Sequence, residues 1–94
     1  MSTRERMTSL IEYAQSQGWT YSRLAATTGI GANRWSDVKN GKVEPRLSEG
    51  AAILALFPQF TTWLMTGETD PANGQVSPEV EQGRKSSPGA ANVS

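Results

Sequence analysis

Residues 29–45 read GIGANRWSDVKNGKVEP, and the spacing of apolar and polar residues in this stretch predicts one short helix. Trp35 and Val38 lie three residues apart, so they share one face of a helix that we expect to begin near residue 31 and to end by residue 40. At about 100° per residue, the opposite face carries short polar side chains, namely Asn33, Ser36, Asp37 and Asn40. The stretch therefore predicts a short amphipathic helix with Trp35 and Val38 in the core.

Four more helices are predicted around this one, and capping residues or glycines mark their boundaries. The expected bounds are 3–17, 21–28, 48–57 and 61–65. Thr20 is a candidate N-cap for the second helix, and Gly18, Gly29 and Gly67 are candidate C-terminal stops. The apolar spacing within these helices gives the core candidates Met7, Leu10, Ile11, Ala14, Leu24, Ala25, Ile53, Leu54 and Phe57. The sequence thus predicts an all-α domain of five helices.

The C-terminal part of the chain has a different composition. Residues 67–94 contain three prolines, four glycines and no aromatic residue, so they bury too little apolar surface to offset the entropy of ordering them. Seven basic and five acidic residues give residues 1–67 a charge of +2, whereas two basic and four acidic residues give 68–94 a charge of −2. We therefore expect a folded domain at 1–67 and a disordered, flexible acidic tail or linker at 68–94.

Several classes of function are excluded by what the sequence lacks. With no cysteine and no histidine, the chain has neither the usual thiol nucleophile and general base nor zinc ligands. No glycine-rich phosphate loop is present. We expect no enzymatic activity, no catalytic residue, no metal or other cofactor, and no small-molecule substrate.

No segment of the sequence is suited to a membrane. The N-terminus, MSTRERMTSL, lacks the apolar region of a signal peptide. The longest apolar run, AAILALF at 51–57, is far shorter than the roughly 20 residues that span a bilayer. A soluble cytoplasmic protein is expected.

The spacing from residue 20 to residue 45 resembles the helix-turn-helix of the lambda-repressor-like family, which includes phage repressors and Cro proteins. The matching residues are Leu24, Ala25, Gly29, Ile30, Trp35, Val38, Asn40, Gly41, Lys42 and Pro45. TTWLMTGE at 61–68 also resembles the last helix of phage-type repressor domains. The resemblance covers about 1–68 and implies a compact five-helix DNA-binding domain.

This resemblance implies that residues 32–40 form a recognition helix that enters the major groove of a double-stranded DNA operator. The implied base-contacting residues are Gly31, Ala32, Asn33, Arg34 and Asp37. Asn33 can bind an adenine through two hydrogen bonds, and Ala32 can pack on a thymine methyl group. Asp37 can accept from a cytosine amine, or it can pair with Arg34 as an ordinary solvated helix face. The implied phosphate-contacting residues are Tyr21, Asn40 and Lys42.

Two further groups of residues have more than one interpretation. Trp63, Leu64 and Met65 either cap the core of the monomer or form a symmetric contact in the homodimer that the resemblance implies. Arg4 and Arg6 form either a basic arm or the solvated start of a helix.

The favoured function is a sequence-specific DNA-binding transcriptional regulator, a repressor or Cro-like protein of a phage or prophage. The alternative is a protein-interaction module derived from a helix-turn-helix domain, of antitoxin or anti-activator type, with weak or no DNA binding. A net charge of zero over the whole chain favours the alternative. Four basic and two acidic residues within 31–46 give +2 and favour DNA.

Overall fold

Helices make up most of the computed structural model, which describes residues 2–86, with side chains as far as residue 82. The described residues form six α-helices, joined by loops and two short 3₁₀ turns, and they contain no β-strand. The helices are α1 (Thr3–Ser16), α2 (Tyr21–Thr28), α3 (Ala32–Lys39), α4 (Leu47–Leu56), α5 (Thr61–Thr66) and α6 (Pro78–Ser86); the 3₁₀ turns are Pro58–Phe60 and Pro71–Asn73. The all-α prediction is confirmed, and the first five helices lie close to their predicted bounds.

Local signals in the sequence explain where the early helices begin and end. The side chain of Ser2 accepts a hydrogen bond from the Glu5 N–H, and the Glu5 carboxylate accepts one from the Ser2 N–H, which together form a capping box. Thr20 accepts from the Arg23 N–H at 3.1 Å and caps α2 as predicted. Gly29 ends α2 with a φ of +77°, a left-handed conformation that glycine adopts without steric cost.

The core forms where α1 packs against α3, α4 and α5. Its fully buried members include Met7, Leu10, Ile11, Leu24, Trp35, Val38, Ile53 and Phe60. Of these, Phe60 was not among the core candidates from the sequence. Thr8 of α1 donates to the Lys39 carbonyl at 3.2 Å and satisfies an acceptor at the C-terminal end of α3. Helix α3 is thus fixed to α1 by apolar burial and by a hydrogen bond.

The chain after residue 67 differs from the sequence-based expectation. The Val76 side chain is 4% exposed, and its N–H donates to the Gln59 carbonyl at 2.9 Å. Gln75 accepts from the Thr62 N–H at 2.9 Å, and α6 packs against α1. The prediction of a flexible tail from residue 68 is therefore wrong for residues 70–82, because a few tertiary hydrogen bonds and one buried valine dock a segment of low apolar content. Residues 87–94, which belong to the same predicted tail, lie outside the described residues.

None of the helices within residues 2–86 combines the length and the apolar character that crossing a bilayer requires.

Candidate nucleic-acid interface

Helices α2 and α3 follow each other through a three-residue turn, and α3 presents one face to solvent. Trp35 and Val38 are fully buried on the inner side of α3. On the outer side Asn33 is exposed, and no described residue hydrogen-bonds to its amide. Gly31 and Asn40 are also exposed, while Ala32, Ser36 and Asp37 are half-buried. The structure therefore leaves this outer face accessible, as the sequence predicts.

Thr28 connects the two helices of this unit through one hydroxyl group. Its Oγ1 donates to the Leu24 carbonyl at 2.6 Å and accepts from the Ile30 N–H at 3.2 Å. The same oxygen accepts from the Trp35 indole Nε1 at 3.2 Å. The buried indole N–H thus has the acceptor that a buried tryptophan usually needs, and the end of α2 is tied to the middle of α3.

Arg34 has a structural environment that the sequence did not indicate. Its Nε donates to Glu49 Oε2 at 3.0 Å and its Nη2 to Glu49 Oε1 at 3.1 Å. Nη2 also donates to the Glu44 carbonyl at 2.7 Å. This bidentate pair ties the first turn of α3 to the first turn of α4, so the Nε and Nη2 donors of Arg34 could contact a base only after the pair breaks.

Glu49 is the partner that holds Arg34, and its side chain is 1% exposed. It also accepts a hydrogen bond from the Arg46 N–H at the start of α4. Burial raises the pKa of Glu49, but the hydrogen bonds from Arg34 and Arg46 outweigh it and hold that pKa below its ordinary value. Glu49 was not predicted from the sequence, although it lies three residues after the N-cap Arg46, which is the spacing of a capping-box glutamate.

The Asp37 carboxylate remains on the outer face of α3 without an ion pair among the described residues. Arg34 pairs with Glu49 instead. The hydrogen bond to Glu49 is the main cause that raises the Arg34 pKa, and the charge of Asp37 adds to it without a direct bond. The predicted alternative, a direct Arg34–Asp37 pair, is therefore absent. Asp37 adds a negative charge to the surface that the resemblance assigns to DNA.

The three predicted phosphate contacts lie at accessible positions. Tyr21 is half-buried in the first turn of α2, and Asn40 and Lys42 are exposed just beyond α3. The Asn40 amide donates to the Ser36 hydroxyl at 3.3 Å. Tyr21 thus lies on α2, and the other two side chains lie in the loop that follows α3.

Arg4 and Arg6 form neither a free basic arm nor a fully solvated helix start, the two arrangements that the sequence left open. Arg4 donates to the Glu44 carboxylate at 2.9 Å and also to the Gly41 carbonyl. Arg6 is buried, and its Nε donates to the Leu64 carbonyl at 3.0 Å. Both side chains are bound to the rest of the fold, so a free basic arm is excluded for them.

The three residues proposed for a dimer contact have different environments. Leu64 is 3% exposed and lies in the core of the monomer, which agrees with the first of its two interpretations and leaves it unavailable to a second copy. Trp63 is half-buried. Met65 is 64% exposed. The most exposed large apolar side chain among the described residues is one the sequence did not single out, Leu47, at 82%.

Comparison with known proteins finds similarity to a phage protein. No protein-family model matches the chain, and no curated protein matches it. Among solved structures, Pf6r from the filamentous phage Pf6 of Pseudomonas aeruginosa PA01 is similar, with a TM-score of 0.73 and 32% identity over 84% of this chain and 97% of Pf6r. Identity at this level over nearly all of Pf6r shows common descent. The chain belongs to the same family as the phage protein Pf6r.

Proposed function

We propose that the protein is a sequence-specific DNA-binding regulator of transcription, acting as a repressor or Cro-like protein of a phage or prophage. One observation carries the proposal: α3 is held by the buried Trp35 and Val38 and presents Asn33 on an unobstructed outer face. The family relationship to a phage protein supports the phage setting.

In this proposal α3 enters the major groove and its first turn faces the bases. Asn33 binds an adenine through N6 and N7, and Ala32 packs on a thymine methyl group. Gly31 carries no side chain, so the backbone can approach the bases closely. Asp37, which forms no ion pair with any described residue, accepts from a cytosine amine.

Arg34 takes a different role in the proposed complex from the one the resemblance implies. Its bond to Glu49 fixes the angle between α3 and α4, so it positions α3 rather than reading a base. Tyr21, Asn40 and Lys42 contact phosphates on either side of the groove and set the register. Asn33 is then the principal hydrogen-bonding reader of sequence.

We further propose that the protein binds its operator as a homodimer that meets through α4. Leu47, Ala51 and Ala55 recur every four residues on one face and are all exposed. The only charged residue of α4, Glu49, is buried on another side. Two copies could therefore meet across a two-fold axis without opposing like charges, and the alanines allow the helices to approach closely. Met65 of α5 is a second exposed large apolar side chain.

Selection of bound sequences from a random DNA pool tests this function directly. We expect an enriched site with two-fold symmetry and half-sites about one helical turn apart. Binding to that site should weaken with salt, and Lys42→Ala should lower the salt dependence by about one released counterion. Absence of enrichment, together with no salt-sensitive binding at micromolar protein and low salt, would contradict the proposal.

A second function is favoured by specific observations. Arg34 is occupied by Glu49, Asp37 leaves a negative charge on α3, and Leu47 and Met65 are exposed apolar side chains. These features suit a helix-turn-helix-derived module that binds a partner protein in an antitoxin or anti-activator role. An Asn33→Ala variant that folds normally and binds DNA as the parent chain does would support this second function over the first.

A further inference from the structure

A cavity of about 480 Å³ lies on the side of α1 that packs against the C-terminal segment. Helix α1 provides one wall, Trp63 of α5 another, and the segment around Ser77 and Glu79 a third, and the cavity opens to solvent. The residues with the chemistry relevant to binding are Ser9, Glu12, Tyr13, Trp63, Ser77 and Glu79. Its volume lies within the range of small-molecule sites.

The C-terminal segment builds this cavity, and it does so through specific contacts. Val76 is buried and hydrogen-bonded to Gln59, which places Ser77 directly against the fold. Ser77 is also buried, and its hydroxyl accepts from the Val80 N–H at 3.3 Å. Gln82 donates to Ser16 of α1 at 3.1 Å and fixes the first turns of α6 across the opening. The cavity therefore has a defined wall on each side.

Among the side chains that the structure describes, which end at residue 82, the charged groups around the cavity are all acidic. Glu12 and Glu79 both line it, and neither carboxylate has an ion pair with any described residue. None of the lysines and arginines whose side chains are described lines the cavity. A cation placed between them would gain attraction to both carboxylates, while an anion would be repelled.

The tryptophan in the lining favours the same class of ligand. The face of a tryptophan ring attracts an ammonium or guanidinium group within about 6 Å of the ring, and Trp63 is half-buried. The Tyr13 ring is 2% exposed and packs against Phe57 and Phe60, so its faces are not open to a ligand. Trp63 also donates its indole N–H to no acceptor within residues 2–82, so this donor is available to a bound molecule. A tryptophan next to two carboxylates suits a molecule that has both a planar or apolar body and a positive charge.

We propose that the cavity binds a small organic cation, an amine or a guanidinium compound with a planar or apolar body. The site is separate from the outer face of α3, so the proposal does not depend on DNA binding. Tyramine is a suitable probe, because two analogues with the same phenol ring differ from it mainly in charge. These are tyrosol, which is neutral, and 4-hydroxyphenylacetate, which is an anion.

Isothermal titration calorimetry of the full chain with the three probes, and with agmatine as a guanidinium probe, tests the proposal. We expect saturable binding of tyramine or agmatine at millimolar concentration or below, and none of tyrosol or 4-hydroxyphenylacetate. Binding should be accompanied by a change in tryptophan fluorescence that disappears in Trp63→Phe. No saturable binding of either cation, or equal binding of all four probes, would overturn the proposal.

Matched variants locate the binding site. The Glu12→Gln/Glu79→Gln double variant should weaken binding of the cation by at least about tenfold, because both attractive charges are removed. Glu68→Gln, an exposed glutamate outside the cavity, should bind as the parent chain does. Circular dichroism melting shows that each variant is folded. A folded double variant with unchanged affinity would place the ligand elsewhere and overturn the assignment.

Discussion

Glu49 accepts hydrogen bonds from Arg34 and from the Arg46 N–H at a position that water hardly reaches. Such a carboxylate stabilises the fold because all its donors are in place, and the loss of its charge leaves those donors weakly paired.

The role of Arg34 could not be predicted from its residue type and its position in the sequence alone. An arginine in the first turn of a candidate recognition helix suits a guanine or a phosphate, but only tertiary structure reveals the acceptor fifteen residues away.

At the scale of single residues, we expect Glu49→Gln to lower the free energy of unfolding by about 1.5–3 kcal/mol, the range for a hydrogen bond to a charged group. Urea denaturation at neutral pH measures this change. Glu68→Gln is the control, since Glu68 is exposed and its replacement should have little effect. Equal urea midpoints for Glu49→Gln and the parent chain would show that the Arg34–Glu49 pair contributes no net stability.

The lowered pKa of Glu49 predicts that the stability of the fold depends on pH. Because the pKa of folded Glu49 lies below its ordinary value, its contribution to the free energy of unfolding is fully present above the unfolded pKa of about 4.3. That contribution is lost as the pH falls from about 4.3 through the lower folded pKa. The stability difference between the parent chain and Glu49→Gln should therefore shrink on acidification. A difference that stays constant from neutral pH to pH values well below 4 would contradict this assignment.

At the scale of elements, α2 and α3 act as one unit because Thr28 accepts from both the Ile30 N–H and the Trp35 indole. Replacing it with valine keeps the shape but leaves a buried indole N–H without an acceptor. We expect Thr28→Val to lower the free energy of unfolding by about 1–3 kcal/mol. Thr27→Val is a matched control, because Thr27 is the exposed neighbour on the same helix. Equal destabilisation by the two variants would mean that the loss reflects helix propensity alone.

The elements also show which features could be predicted from sequence. Helices α1 to α5 have local signals: the Thr20 cap, the Gly29 stop and the apolar spacing of Met7, Leu10 and Ile11. Helix α6 has few such signals, since its docking depends on Val76 and on hydrogen bonds between residues more than ten positions apart. Periodicity therefore located the helix-turn-helix unit and its polar face, but it could not locate α6.

The accessible polar face of α3 was predictable from the sequence, whereas the separate cavity beside α1 was not. The 100° spacing places Asn33 opposite Trp35 without any knowledge of the fold. Glu12 and Glu79 lie 67 positions apart in the sequence, and only the docking of the C-terminal segment brings them to the same cavity. Exposure of Leu47 likewise depends on how α4 packs, because α4 has apolar residues on several sides.

At the scale of the whole molecule, the C-terminal segment forms part of the fold rather than a linker. We expect Val76→Ser to lower the free energy of unfolding by about 1.5–3 kcal/mol, the value of burying one aliphatic side chain. Val80→Ser on α6 is the control, since Val80 is 48% exposed. Thermal melting compares the three chains. Equal melting temperatures of the two variants would show that the docking of residues 70–82 makes no specific contribution to the stability of the fold.

The proposed dimer depends on the exposed face of α4 that carries Leu47, Ala51 and Ala55. We expect the chain to be a dimer by sedimentation equilibrium and Leu47→Ser to raise the dissociation constant by about tenfold, as loss of an apolar interface anchor does. Val80→Ser again serves as the control. A parent chain that remains monomeric at every accessible concentration would contradict the proposed α4 contact.

The most direct measurement is a fluorescence anisotropy titration of the selected DNA site with the parent chain and with Asn33→Ala. We expect the variant to fold as the parent does, to lose about 1–3 kcal/mol of binding free energy, and to discriminate less at one base pair of each half-site. Asn73→Ala, the same change at an exposed asparagine outside α3, should bind normally. Equal binding of all three chains would show that the outer face of α3 does not read DNA.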